Sequence, residues 1–341
     1  MYTNEDLNNA VDKGIFTQAD VEKFRTSVSQ SHHSPSVDEE NFKLLSGFND
    51  IFVVVTSLLL LMSVSWIIPE SLYSSFIVTL ISWGLAEFFV KIRKMSLPAI
   101  VLFITFVGSF FMGISKLIDA NPFFMSISEN GLMLSTVITA LAAYIHWKRF
   151  AVPITVAVGI ATMMIFSLSL VISFIDDITH IEDAFTYAPY LILLFGIVTF
   201  FIAMAWDSSD TKRISNNSDV AFWLHLLAAP LIVHPIFTLL GVFDSESGME
   251  IIFAIIVFYI LLSILSIIID RRAFMVSSLL YVLYATNTLF STYGMNNNSF
   301  AITGILIGFS LLMLSGYWPR ARGVLLRFMP QFIQNKVPLA S

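Results

Sequence analysis

The sequence has no cysteine and very little charge. Charged side chains make up 12% of the 341 residues and hydrophobic side chains 57%, whereas a soluble domain usually has roughly a quarter charged and under half apolar residues. The lack of cysteine excludes disulfides, thiolate metal ligands and cysteine nucleophiles. With a net charge of −6 the chain offers no overall basic surface for phosphates, so we expect no nucleic-acid partner. This composition predicts an all-α membrane protein.

The common catalytic motifs are also missing. The sequence contains no phosphate loop, nucleophile elbow, zinc-protease motif or dinucleotide fingerprint. We therefore assign no catalytic residue, no metal and no cofactor, and we favour a non-enzymatic protein. A histidine-dependent membrane enzyme would need at least two carboxylates or histidines within ligand distance of each other.

Apolar runs of about 18–24 residues follow one another from Asp50 onward, and a helix needs about 20 residues to cross the hydrocarbon core. The pattern predicts ten transmembrane helices in a bundle over residues 49–318, followed by a tail over 319–341. The fourth span has the least distinct ends. The predicted spans are 50–69, 73–91, 97–118, 130–147, 151–175, 185–206, 219–243, 249–269, 273–294 and 299–318.

The basic residues segregate as such a topology requires. All 18 Lys and Arg residues except Lys116 fall in the N-terminal segment, in the breaks after even-numbered spans, or in the tail. The positive-inside rule assigns that side to the cytoplasm, with both termini there. Three of these breaks look alike: VKIRKMSLPAIVLF, IHWKRFAVPITVAV and IIDRRAFMVSSLLY. The likeness indicates either an internal repeat or the common form of a tight turn.

Residues 1–48 differ from the rest of the chain. Thr3 and Thr17 each precede an acidic residue by three positions, which is a helix-start pattern, and Gly14 is placed to end a first helix. We predict a small cytoplasmic hairpin with helices near 3–13 and 17–28, then a polar linker. No signal peptide precedes the first span, so we expect that span to act as an uncleaved signal anchor.

The seventh span has the most unusual composition, with two histidines and two prolines. Pro230 and Pro235 leave the carbonyls of Leu226 and Leu231 without helical donors and predict a bend. His225 and His234 lie nine residues apart, so they face opposite sides of an unbroken helix. Each histidine has three interpretations: a structural hydrogen bond to another helix, proton or substrate handling, or metal ligation.

Two other spans carry candidate polar residues. Glu87 in the second span either pairs with Lys91 one turn later or couples protons. The ninth span has a polar stripe that either packs between helices or lines a cavity. An acidic outer segment, IDDITHIEDAF, is interpreted as a solvated loop because it lacks calcium-loop spacing. The stripe consists of Ser277, Tyr281, Tyr284, Thr288 and Ser291, with Asn287 beside it.

Three stretches of the chain resemble a known family. YTNEDLNNAVDKGIFTQADVEKFR, DEENFKLLSGFNDIFVVV and SDVAFWLHLLAAPLIVHP are similar to segments of bacterial multi-pass membrane proteins with domain of unknown function 2157. The likeness covers mainly residues 3–60 and 214–236. It implies a bacterial inner-membrane location and no particular activity.

Two functional hypotheses follow. The first is binding or transport of a small solute or lipid in a cavity bordered by the seventh and ninth spans, using candidates listed here: His225, His234, Glu87, Tyr281, Tyr284 and Asn287. The second is a scaffold or sensor that does not transport and whose N-terminal segment binds a protein partner. The discriminating feature is whether these polar residues converge; if they point into different helix interfaces, the first hypothesis loses its main support. Membrane lipids are expected partners under both.

Overall fold

The computed structural model describes most of the chain, and every regular element in the described residues is helical. The described residues are 4–24, 48–68, 72–120, 131–179, 184–211, 213, 215–241, 249–292, 299–334 and 336–338.

Two short helices precede the first long one. Helix α1 spans Asn4–Asp12 and α2 spans 18–24. Gly14 follows α1 with a φ of +69°, and the next amide, of Ile15, donates to the carbonyl of Ala10 over 2.9 Å. A left-handed glycine with this backward hydrogen bond is the usual end of a helix, as the sequence predicted. Thr3 and residues 25–47 lie outside the described residues.

The start of α2 is capped as the sequence predicted. The amide of Asp20 donates to the Thr17 hydroxyl oxygen over 3.2 Å. In return the Thr17 hydroxyl and amide donate to the Asp20 carboxylate over 2.6 and 3.2 Å. These hydrogen bonds from Thr17 lower the pKa of Asp20 below its ordinary value. The reciprocal pair satisfies donors that the first turn of a helix leaves unbonded.

Within the described ranges ten long helices follow, one at each predicted span. They are α3 Phe48–Ile67, α4 Leu72–Ala86, α5 Ser96–Ala120, α6 Gly131–Phe150, α7 Ile154–Thr179, α8 Ala188–Ser209, α9 Asn216–Leu239, α10 Met249–Ile269, α11 Ala273–Thr292 and α12 Ser299–Arg327. A π-helical segment, Glu87–Ile92, extends α4. A short helix, α13 Gln331–Gln334, follows α12.

Eight of these helices are long and apolar enough to cross a membrane. The protein is therefore a multi-pass membrane protein. Helix α6 is outside that set, and only the shorter stretch Ala273–Thr286 of α11 is comparably apolar. Helix α6 ends in Lys148 and Arg149, which lower its mean hydropathy. The count of ten crossings stays a prediction.

The long helices pack as a row of antiparallel hairpins. The closest partners are α4 with α5, α6 with α7, α8 with α9, and α10 with α11. Neighbouring hairpins meet mainly through α5–α6, α7–α9 and α9–α11, while α3 and α12 cover the two ends. The pair α8–α9 has the most extensive interface in the described structure.

The four hairpins turn in the same way. Each has a residue with a left-handed backbone and a φ between 52° and 57° in its turn: Lys94, Ala151, Arg213 and Asp270. A non-glycine residue adopts this conformation at some cost, so it persists where the surroundings fix it. In three turns the following residue is buried: Met95, Val152 and Arg271. The breaks that look alike in sequence therefore share their local structure.

Candidate functional site

Helices α9 and α11 meet through two polar side chains. The Nδ1 atom of His234 lies 2.6 Å from the hydroxyl oxygen of Tyr281. Tyr281 also stacks on Phe237 of α9, with ring centroids 4.2 Å apart. His234 itself is exposed, as is Tyr284 one turn beyond Tyr281. The predicted contact between the polar residues of the seventh and ninth spans is therefore present.

Both prolines lie inside α9, which runs as one helix from Asn216 to Leu239. Pro235 leaves the carbonyl of Leu231 without its helical donor. That carbonyl packs against Gly196 of α8: a methyl group at Gly196 would lie 2.8 Å from both the carbonyl carbon and the oxygen of Leu231. Close backbone approach at glycine permits a weak Cα–H···O contact. This carbonyl thus belongs to the α8–α9 interface, and the predicted bend of α9 stays a prediction.

His225 lies in a different environment, a buried charged cluster. Its Nε2 atom is 3.1 Å from Oδ2 of Asp207, at the end of α8. Arg271 binds the same carboxylate through two hydrogen bonds of 2.6 and 3.1 Å. Its guanidinium also donates to the carbonyl oxygen of Ser218 over 3.1 Å. All three charged or titratable residues are at most 2% exposed. We call Asp207, His225 and Arg271 the buried triad.

Next to the buried triad, Asp270 is the centre of a second ionic group. Arg213 forms an ion pair with its carboxylate at 2.8 Å, and the indole of Trp318 donates to it over 2.7 Å. Arg322 lies 3.9 Å from the same carboxylate and donates to the carbonyl oxygen of Pro338. This group ties the turns after α8 and α10 to α12 and to the end of the chain.

Glu87 belongs to another part of the molecule. Both of its carboxylate oxygens accept hydrogen bonds of 2.8 Å from Arg149, at the end of α6. The sequence spacing suggested Lys91 as the partner, and the ion pair instead joins two hairpins. Glu87 starts the π-helical segment, and such segments often mark functional positions.

His146 is a buried residue that the sequence analysis did not single out. It is 1% exposed and lies among the rings of Phe103, Phe106, Phe150 and Trp83, with centroid distances of 4.8, 5.2, 4.5 and 5.7 Å. Neither ring nitrogen has a hydrogen-bond partner within the described residues. Its position inside the fourth span was the available signal, because polar groups in spans are unusual.

The predicted candidates thus do not all converge, and only His234 and Tyr281 support a site between the seventh and ninth spans; the candidates divide among three places. His234 and Tyr281 meet at α9–α11, with Tyr284 on the same helix. His225 is in the buried triad, although it also lies against α11, with its ring 6.2 Å from that of Phe274. Glu87 pairs with Arg149 between the α4–α5 and α6–α7 hairpins, away from α9 and α11. The side chain of Asn287 lies outside the described part of the chain.

The geometry of the buried triad bears on metal binding and on membrane-enzyme chemistry. Asp207 and His225 are within ligand distance of each other, but the Arg271 cation already occupies the carboxylate and would repel a metal ion. No group of three or more His, Asp or Glu residues suited to a metal occurs in the part of the chain that the structure describes. The side chains of the acidic outer segment, with Asp176, Asp177 and His180, lie outside that part.

No protein-family model, curated protein or solved structure matches the chain. The resemblance to bacterial proteins with the domain of unknown function therefore stays a prediction, and the fold and contacts above carry the functional argument.

Proposed function

We propose that this membrane protein binds a small solute or lipid at the α9–α11 interface and moves it across the membrane. The observation that carries the proposal is the hydrogen bond between His234 and Tyr281 at an exposed position. Exposed polar groups inside a span are costly in lipid, so they are expected to face protein or a polar ligand.

The two side chains suit a ligand with hydroxyl, amide or carboxylate groups. An imidazole can donate from one nitrogen and accept at the other, and a tyrosine hydroxyl can do both. The two groups hydrogen-bond to each other over 2.6 Å. A ligand that replaces this contact would satisfy both groups, while the stacked Phe237 ring supplies an apolar wall.

The proposal also covers the membrane in which the protein lies and its topology there. We place the protein in a bacterial inner membrane, with ten crossings and both termini in the cytoplasm. The segregation of the basic residues supports the orientation, and the presence of a helix at each predicted span supports the count.

A thermal-shift screen of the purified protein tests the proposal. Amino acids, sugars, carboxylic acids and phospholipids are added separately, and a compound that raises the melting temperature is then tested for uptake into proteoliposomes. We expect Tyr281→Phe, which removes one hydroxyl, to lower the affinity about tenfold, since a hydrogen bond to a ligand is worth about 1–1.5 kcal/mol. His234→Ala should impair binding further.

Tyr190→Phe is the matched control, because Tyr190 is an exposed tyrosine on α8 and should leave binding unchanged. The proposal is wrong if no compound stabilises the wild-type protein, or if Tyr281→Phe binds the same compound as tightly as Tyr190→Phe does.

A second function rests on the N-terminal segment. Ile15, Phe16 and Phe24 are exposed on the small hairpin, and exposed apolar side chains there favour a protein partner. This scaffold or sensor role is distinguished by deleting residues 1–40. Transport by the membrane helices should survive the deletion, whereas a partner-binding role should be lost.

A further inference from the structure

The two halves of the row of helices differ in the exposure and pairing of the basic residues in their turns. In the second half, the side chains of Arg213 and Arg271 are only 6% and 2% exposed, and each binds an aspartate, Asp270 or Asp207. In the first half, the turns after α4 and α6 carry five basic residues and one acid, Glu87, over residues 87–95 and 144–150. All five are exposed: Lys91, Arg93, Lys94, Lys148 and Arg149.

Two of these exposed cations lie over aromatic rings. The guanidinium of Arg93 is 5.6 Å from the centroid of Phe88. The ammonium group of Lys148 is 5.5 and 5.7 Å from the centroids of Tyr144 and Trp147. Such contacts hold a long side chain near one position and leave its outer face open to an anion. Aromatic and basic residues together are typical of the headgroup level of a bilayer.

The two turns are also fixed relative to each other. Arg149 binds both carboxylate oxygens of Glu87, and the rings of Trp83 and Phe150 are 5.1 Å apart. The single acidic residue of these two turns, Glu87, is thereby paired with Arg149. The remaining positive charge therefore lies in the turns of two adjoining hairpins. We call these cations and the rings beside them the basic aromatic patch; its members are Phe88, Lys91, Arg93, Tyr144, Trp147 and Lys148.

We propose that the basic aromatic patch binds the headgroup of an anionic phospholipid from the surrounding bilayer. The positive charge complements the lipid phosphate, and lysine and arginine near a membrane surface attract anionic lipid. Exposed apolar side chains flank the cations, namely Phe88, Ile92 and Ile145, and these can contact acyl chains. A free phosphate would use the cations alone, so the apolar flanks favour a lipid. This site is independent of the α9–α11 interface.

Native mass spectrometry of the full chain in detergent tests this proposal. Phosphatidylglycerol and phosphatidylcholine are added at equal concentration, and the bound fraction is measured. We expect phosphatidylglycerol to bind about tenfold more tightly, because each basic group near an anionic surface contributes a several-fold factor. The variant Lys91→Gln, Arg93→Gln, Lys148→Gln should lose this preference, and the single variant Lys148→Gln should reduce it.

The charge-matched control is Lys13→Gln, Lys23→Gln, Lys336→Gln, which removes three exposed lysines outside the patch and should keep the preference. The proposal is overturned if the wild type shows no preference, if the patch variants retain it, or if the control loses as much. It is also overturned if inorganic phosphate displaces the lipid, because the site would then recognise free phosphate. The melting temperature in phosphatidylcholine checks folding, and Lys148→Gln keeps the test valid if the triple variant is unstable.

Discussion

Arg271 occupies a position that holds an apolar residue in two equivalent turns. Met95 and Val152 follow the left-handed residues Lys94 and Ala151, and both are buried. Arg271 follows Asp270 and is equally buried. A buried guanidinium costs several kcal/mol unless it is paired and hydrogen-bonded, and the Asp207 carboxylate provides that pairing. The arginine therefore joins the α10–α11 turn to the α8–α9 hairpin.

Replacing Asp207 with alanine should destabilise the folded protein. The change leaves the Arg271 guanidinium buried without its counter-charge and removes the partner of His225. We expect a loss of about 3–5 kcal/mol in the free energy of unfolding, measured by denaturant titration of the protein in detergent. Asp12→Ala, at an exposed position in α1, should change stability little.

The double variant Asp207→Leu, Arg271→Met is the informative companion. Replacing a buried ion pair by apolar residues of similar volume is often neutral, so this variant should recover most of the lost stability. A double variant as unstable as Asp207→Ala would show that the pair does not account for the effect.

At the scale of helices, the α8–α9 interface depends on one glycine. Gly196→Ala would place a methyl group 2.8 Å from the backbone carbonyl of Leu231, closer than van der Waals contact allows. The helices would have to separate, and overpacking of this kind costs about 1–3 kcal/mol. The measurement is the melting temperature in detergent, with unfolding free energy from denaturant titration.

Gly159→Ala is the matched control for that substitution. Gly159 is also inside a long helix, α7, and an added methyl group there meets no atom within 4 Å. Alanine is the better helix former by about 1 kcal/mol, so this variant should be neutral or more stable. Equal destabilisation by both substitutions would contradict the close α8–α9 contact.

The sequence was informative about helices and less so about their polar contacts. The apolar runs placed all ten long helices, and the motifs at Gly14 and Thr17 predicted a helix end and a helix start, because these signals are local. Asp207 was missed because it lies one position past the predicted sixth span and its partner Arg271 is 64 residues away. The Arg149 partner of Glu87 is likewise on another hairpin, which no local spacing reveals.

For the whole molecule, the row of hairpins places the four left-handed turns on one side of the bundle. Reporter fusions after residues 94, 149, 213 and 272 should therefore all report the cytoplasm, since these breaks carry the basic residues. Fusions after residues 123 and 246 should report the opposite side. The experiment also tests whether α6 crosses the membrane, because the fusions after residues 123 and 149 lie on either side of it.

If a fusion expected in the cytoplasm reports the opposite side, the protein has fewer than ten crossings. If α6 did not cross, residues 94 and 149 would still share a side only if another helix also failed to cross. The signals after residues 94, 123 and 149 thus show whether α5 or α6 departs from the ten-span arrangement.

The separation of Asp207 and Arg271 along the chain has a consequence for biosynthesis. Asp207 leaves the ribosome before its counter-charge does, since 64 residues separate it from Arg271. At about 5–20 residues per second this delay is about 3–13 s. During that interval Arg271 cannot yet pair with the Asp207 carboxylate. The buried ion pair of the α8–α9 hairpin is therefore completed only once the α10–α11 turn has been made.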